Sequence, residues 1–93
     1  MTIEVNGKEY EINRPTLRIE RNIRKLWESF ATLTVSEEDT EFDKSVGVWN
    51  EIVKAIFASP DAGLDFDGLT QGEMGDILVD FSAAASAMKR KSV

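Results

Sequence analysis

Acidic side chains are the groups in this sequence with the clearest capacity for chemistry, and one set has the composition of a calcium loop. This set consists of Asp65, Asp67, Gly68 and Glu73. When Gly68 takes the place of the invariant glycine of an EF-hand, the first ligand position falls on Gly63 and the last on Met74. Neither residue has a carboxylate, so we expect an acidic turn and no metal site.

A second acidic set precedes an apolar pattern of helical spacing: Glu37, Glu38, Asp39, Glu41 and Asp43. Paired carboxylates can act as general acid and base, or they can bind magnesium. These residues stand where a helix begins, and the free N–H groups and the dipole of a helix favour acids there without any catalytic role. We interpret the set as a capping and solubilising feature.

The sequence lacks the residues that most small enzymes use. It has no Cys and no His, which excludes disulfides, thiolate nucleophiles, zinc–thiolate sites and the commonest general base. A glycine-rich phosphate loop and a nucleophile elbow are also missing. We therefore predict that the protein is not an enzyme, uses no cofactor and acts by binding another protein.

Four basic residues could form a contact surface. Spacings of four, three and four residues place Arg14, Arg18, Arg21 and Lys25 on one helical face. Such a stripe could hold an acidic partner or a nucleic-acid backbone, or it could be the solvated face opposite a core. We retain these four residues as candidates for protein binding.

The N-terminal residues predict a β-hairpin over residues 2–12. Polar and apolar residues alternate in segments 2–5 and 9–12, on either side of Asn6-Gly7. This dipeptide suits the positive φ angles of a tight hairpin turn. Because a lone hairpin is marginally stable in water, we expect this one to pack against helices.

Apolar residues at steps of three and four predict three amphipathic helices. Thr16 is a suitable N-cap for the first, and Thr70 and Glu73 match a capping box at the start of the third, with Leu69 and Met74 as its hydrophobic staple. The predicted fold is a single α+β domain, mainly α, spanning residues 1–93, with an N-terminal β-hairpin packed on three amphipathic helices. The helices are expected at about 17–33, 37–58 and 70–90.

Charge is distributed unevenly along the chain. The net charge is −6, and residues 31–88 contain twelve acids and two bases. An acidic middle repels nucleic-acid phosphates and anionic lipid.

No segment approaches the ~20 consecutive apolar residues of a membrane span, and the N-terminus lacks the features of a secretory signal. We expect no nucleic-acid or membrane partner and a cytoplasmic location.

Apolar residues that a small core leaves uncovered could bind a partner. Trp27 and Trp49 lie in the core register of their helices, so both could also be ordinary core residues. Exposed patches of aromatic and Met side chains often mark protein-binding surfaces. The apolar candidates are Trp27, Phe30, Trp49, Phe66, Phe81 and Met88.

The order of these segments resembles the tail assembly chaperones of long-tailed bacteriophages. The similar features are the strand-turn-strand at 3–12, the Pro15-Thr16-Leu17 step into the helices, and Leu69-Thr70-Gln71-Gly72-Glu73 at the start of the last helix. The resemblance implies an assembly factor in the host-cell cytoplasm. It would bind the long, helical tape measure protein, keep it soluble and help recruit tail tube protein subunits.

Two other functions remain open at this point. The chain could be a structural tail or head-tail connector subunit, or an acidic regulator that mimics DNA, since the middle of the chain is rich in acids. The sequence also leaves a homo-oligomer open.

Overall fold

The computed structural model of the 93-residue chain describes residues 2–58, 64 and 66–91, and for 88–91 it describes the backbone alone. A two-stranded antiparallel hairpin is followed by three helices, which confirms the predicted α+β, mainly α, fold class. In chain order the elements are β1 Thr2–Val5, β2 Lys8–Glu11, α1 Leu17–Thr34, α2 Asp39–Ile56, a short 3-10 helix Phe66–Gly68, and α3 Gln71–Lys91.

The hairpin forms where the Asn6-Gly7 pair predicts it. Asn6 has φ of 55° and Gly7 has φ of 81°, which is the left-handed conformation that a two-residue turn between twisted strands requires. Ile3 pairs with Tyr10 and Val5 with Lys8. Strand alternation turns Ile3, Val5 and Tyr10 toward the core, and all three are buried.

Backbone bonds tie the hairpin to the end of α2. Ile12 forms an isolated antiparallel bridge with Phe57, and the Asn13 backbone N–H donates to the Ile56 oxygen at 2.7 Å. The Asn13 side-chain amide donates to the Ala55 oxygen at 3.0 Å, which satisfies a carbonyl in the last turn of the helix. Helix α2 therefore ends at Ile56, two residues before the expected position, because Phe57 is extended and pairs with Ile12.

The starts of α1 and α3 follow the predicted capping. The Thr16 hydroxyl accepts a hydrogen bond from the Ile19 N–H at 3.3 Å. At α3, the Thr70 N–H donates to Glu73 Oε1 at 2.9 Å and the Glu73 N–H donates to the Thr70 hydroxyl at 3.2 Å. These reciprocal bonds are those of a capping box. Leu69 and Met74, the predicted staple, are both buried.

One hydrophobic core joins the hairpin to the three helices. Its most enclosed side chains are aromatic and branched residues from all three helices and from the segment that follows α2. The indole N–H of Trp49 donates to the Leu64 oxygen at 2.9 Å, so this buried polar group has a partner. Among the described residues, no helix is long and apolar enough to cross a membrane.

Candidate protein-binding surfaces

The six apolar candidates fall into different environments. Phe30, Trp49 and Phe81 are no more than 2% exposed, so in this fold they are core residues. Trp27 and Phe66 are half-buried and reach the surface. The side chain of Met88 lies outside the described part of the structure. These three candidates lie on the apolar faces of their helices, and the apolar face of an amphipathic helix normally packs into the core.

A row of aromatic rings connects the two candidates that reach the surface. Trp27 stacks on Phe30 with ring centroids 5.3 Å apart. Phe30 meets Phe66 edge to face at 6.1 Å, and Phe66 meets Phe42 in the same manner at 5.6 Å. Because Phe30 is enclosed, the row reaches the surface at Trp27 on one side and at Phe66 and Phe42 on the other. The structure therefore divides the apolar candidates between two separate surfaces.

The first surface is a groove between α1 and α3, called here the Trp27 groove. It contains two cavities of about 180 and 580 Å³ that share Trp27, Leu78 and Ser82. Gly75 and Ser82 are small, and Val79 is 65% exposed, so the α3 side of the groove is shallow and largely uncharged. Its lining is Glu20, Ile23, Arg24 and Trp27 from α1, and Gly75, Asp76, Leu78, Val79, Phe81 and Ser82 from α3.

The second surface is a cleft of about 230 Å³ near the start of α2, called here the Phe42 cleft. Phe42 precedes Val46 by four residues and Trp49 by seven, so helical periodicity places it on the apolar stripe of α2. Its side chain is nevertheless 41% exposed. Phe42 lies in the first turn of α2, where Phe66 is its one aromatic neighbour among the described residues. The cleft is lined by Phe30, Thr34, Phe42, Phe66, Leu69, Gln71 and Met74.

The predicted basic stripe is solvent-exposed. Arg14, Arg18, Arg21 and Lys25 are all exposed, and no ion pair joins any of them to another described residue. Sequence periodicity overlooked Leu17, which lies among these charges and is 75% exposed. Its position away from the helical face of Ile23 and Phe30 is the signal that could have identified it, because an amphipathic helix buries only one face.

Among the acids, Glu73 takes part in a helix cap, whereas the N-cap residue of α2, Glu38, makes no capping hydrogen bond with its side chain. The pKa of Glu73 is lowered because its carboxylate accepts hydrogen bonds from the Thr70 backbone N–H, the Thr70 hydroxyl and the Asn6 side chain. Asp65 and Gly63 lie outside the described residues. Within residues 2–58, 64 and 66–87, no group of three or more acidic side chains is placed to hold a metal ion.

Two apolar surfaces and one basic stripe are thus the features on which a binding function can rest. Comparison of the chain with family models, curated proteins and solved structures finds no match.

Proposed function

We propose that this protein is a phage tail assembly chaperone that binds an amphipathic helix of the tape measure protein in the Trp27 groove. The observation that carries the proposal is the groove itself, in which Trp27, Leu78 and Val79 present apolar surface between two helices. Recognition of a helix by its apolar face in such a groove is a recurring mode of protein binding.

The shape and chemistry of the groove suit a helix. Gly75 and Ser82 carry little or no side chain, so a partner helix can approach the α3 backbone closely. Trp27 supplies a rigid aromatic surface of the kind that dominates binding energy at protein interfaces. Arg24 lies on the α1 side and Asp76 on the α3 side. A partner helix with opposite charges at its flanks would be oriented by this pair.

The identity of the partner follows from the resemblance to tail assembly chaperones. A long helical protein exposes an apolar stripe before it is assembled, and a reversible cover prevents that stripe from aggregating. The chain brings a net charge of −6 to such a complex, and net charge favours solubility. The hairpin, the Pro15-Thr16-Leu17 step and the capping box at α3 are the features of the resemblance that the fold contains.

Co-expression with the tape measure protein of the same phage tests the proposal. We expect the wild-type chain to keep the tape measure protein in the soluble fraction. Val79→Asp should abolish this effect and weaken binding of a purified tape measure fragment at least about tenfold, because the partner would have to bury a charge in place of an apolar contact. Isothermal titration calorimetry measures the dissociation constant.

Val35→Asp is the matched control, because Val35 is 77% exposed and is not among the residues that line the groove. Circular dichroism should show that both variants fold. A tape measure protein that remains insoluble beside the wild-type chain, or equally soluble beside Val79→Asp, would contradict the proposal.

A further inference from the structure

The turn of the hairpin carries two residues that can react with each other. Asn6 has φ of 55° and Gly7 has φ of 81°, and both residues are solvent-exposed. A Cβ atom placed on Gly7 would meet nothing within 4 Å, so the space beside its backbone is open. Because glycine lacks a Cβ atom, its backbone nitrogen is the least hindered one that can follow an asparagine. The turn therefore joins a side-chain amide to an unhindered nitrogen in the presence of water.

The reaction that suits this pair is ring closure followed by hydrolysis. The Gly7 backbone nitrogen attacks Cγ of Asn6, the new N–Cγ bond closes a succinimide ring, and the bond from Cγ to the side-chain nitrogen breaks. The side-chain nitrogen leaves as ammonia and takes the proton of the Gly7 N–H with it. Water then opens the ring at either carbonyl, which converts Asn6 to aspartate or isoaspartate. Water is the only co-reactant, and nothing is oxidised or reduced.

The other asparagines of the chain, Asn13, Asn22 and Asn50, are poorer substrates for this reaction. Each precedes a residue whose side chain extends beyond Cβ. Asn22 and Asn50 lie inside α1 and α2, where the next backbone N–H is already bonded to a carbonyl one turn earlier. The amide of Asn13 donates to carbonyl oxygens at the end of α2. Among the four asparagines, the local conditions for ring closure are best at Asn6.

The surroundings of Asn6 determine what the reaction would change. Its side chain donates a hydrogen bond to the Glu73 carboxylate. Asn6 also lines a cleft of about 230 Å³ between the hairpin and α3, together with Glu4, Glu73, Asp76 and Asp80. Hydrolysis replaces the amide donor by a carboxylate that faces these like charges and repels them. Isoaspartate also lengthens the backbone of the turn, and turn length fixes the register of the two strands.

We propose that Asn6 deamidates spontaneously through a succinimide with Gly7, and that the product weakens the contact between the hairpin and the start of α3. Helix α3 lies next to β1, so this contact is part of the packed unit that stabilises the hairpin. The contact then has a lifetime that is set by the chemistry of the chain itself. The proposal does not depend on what the Trp27 groove binds.

Ageing of the purified full chain at neutral pH tests the modification. Peptide mapping by mass spectrometry follows the replacement of an amide by an acid at each asparagine. We expect Asn6 to be converted at least about tenfold faster than Asn22 or Asn50, because Gly7 lacks the Cβ atom that hinders attack elsewhere. Equal rates at Asn6 and Asn22, or conversion that begins at another asparagine, would overturn the proposal.

Asn6→Asp tests the structural consequence without ageing. Aspartate followed by glycine suits the same turn, so a loss of stability would come from the missing donor and the added charge. We expect a lower urea midpoint and faster hydrogen exchange of the hairpin amides than in wild type. Asn22→Asp adds the same charge at an exposed position on α1 and is the matched control, which should unfold like wild type.

The aged wild-type chain provides a second measurement, because it also contains the isoaspartate product. Ion exchange separates the deamidated chain from the unmodified one, and circular dichroism should show that it is folded. Its urea midpoint should fall at least as far as that of Asn6→Asp. Midpoints of Asn6→Asp and of the deamidated chain that both equal the midpoint of Asn22→Asp would overturn the proposed effect on the hairpin.

Discussion

At the residue scale, the two tryptophans show how position on a helix decides the role of a side chain. Trp49 is fully buried and its indole N–H is satisfied by the Leu64 oxygen. Trp27 stacks on Phe30 but stays half-buried at the side of the groove. Ile23 and Phe30 form the centre of the buried face of α1, and Trp27 lies at the edge of that face. An edge position leaves part of a large ring available to a partner.

Glu73 provides a prediction at this scale because the fold lowers its pKa. The main cause is the hydrogen bond that its carboxylate accepts from the Thr70 N–H. A carboxyl whose pKa is lower in the folded state stabilises the fold fully above its unfolded-state pKa, and this contribution is lost as the pH falls through the folded-state pKa. Glu73→Gln mimics the protonated form, so the variant should be less stable than wild type at neutral pH.

We expect this difference to shrink as the pH enters the acidic range in which Glu73 becomes protonated. Urea denaturation of both proteins at several pH values measures the free energy of unfolding. A difference that stays constant between neutral and acidic pH would show that the carboxylate charge contributes nothing to the capping box.

At the scale of elements, the hairpin depends on its contact with α2. A two-stranded sheet alone is marginal, and here β2 is prolonged by the bridge from Ile12 to Phe57 and by the bond from the Ala58 N–H to the Glu11 oxygen. Helix α3 also lies next to β1. The hairpin is therefore held between the end of α2 and α3, and its stability is that of the packed unit.

Asn13→Ala tests this dependence. The substitution removes the amide that donates to the Ala55 oxygen at 3.0 Å and leaves that part-buried carbonyl without its side-chain partner. We expect a loss of about 1 to 2 kcal/mol in the free energy of unfolding and faster hydrogen exchange of the hairpin amides. Asn22→Ala, at an exposed position on α1, is the matched control. Equal stability of the two variants would contradict a connecting role for Asn13.

At the scale of the whole molecule, charge and apolar surface are arranged along α1. Basic residues surround its start, acids surround the cleft at its end, and the Trp27 groove lies between them. The groove and the cleft are separate surfaces, since none of the residues that line the groove lines the cleft.

The proposed chaperone role predicts where the protein is found after assembly. The groove is shallow and has few exposed apolar side chains, so binding there should be reversible. The chaperone can then leave the tape measure protein once the tail tube covers it. Quantitative mass spectrometry should therefore detect the chain in infected cells and find it depleted from purified virions. Stoichiometric presence in the particles would contradict this role and favour a structural tail or connector subunit.

The local structure of this protein was largely determined by its sequence. The Asn6-Gly7 turn, the Thr16 cap and the Thr70–Glu73 capping box are confirmed because each depends on neighbouring residues and on backbone geometry that a short segment specifies. The fold class could also be predicted from the sequence. Apolar residues recur every two residues in strands and every three to four residues in helices, so their spacing distinguishes the two.

Only the tertiary structure decided which apolar residues remain at the surface. Periodicity gave Phe30, Phe42, Trp49 and Phe81 the same inward register, but Phe42 is exposed and the other three are enclosed. Whether a side chain on an apolar stripe is covered depends on which other elements reach it, and that is a property of packing between distant segments. For the same reason the sequence could not show that Leu17 stands free at one end of α1 while an acidic cleft opens at the other.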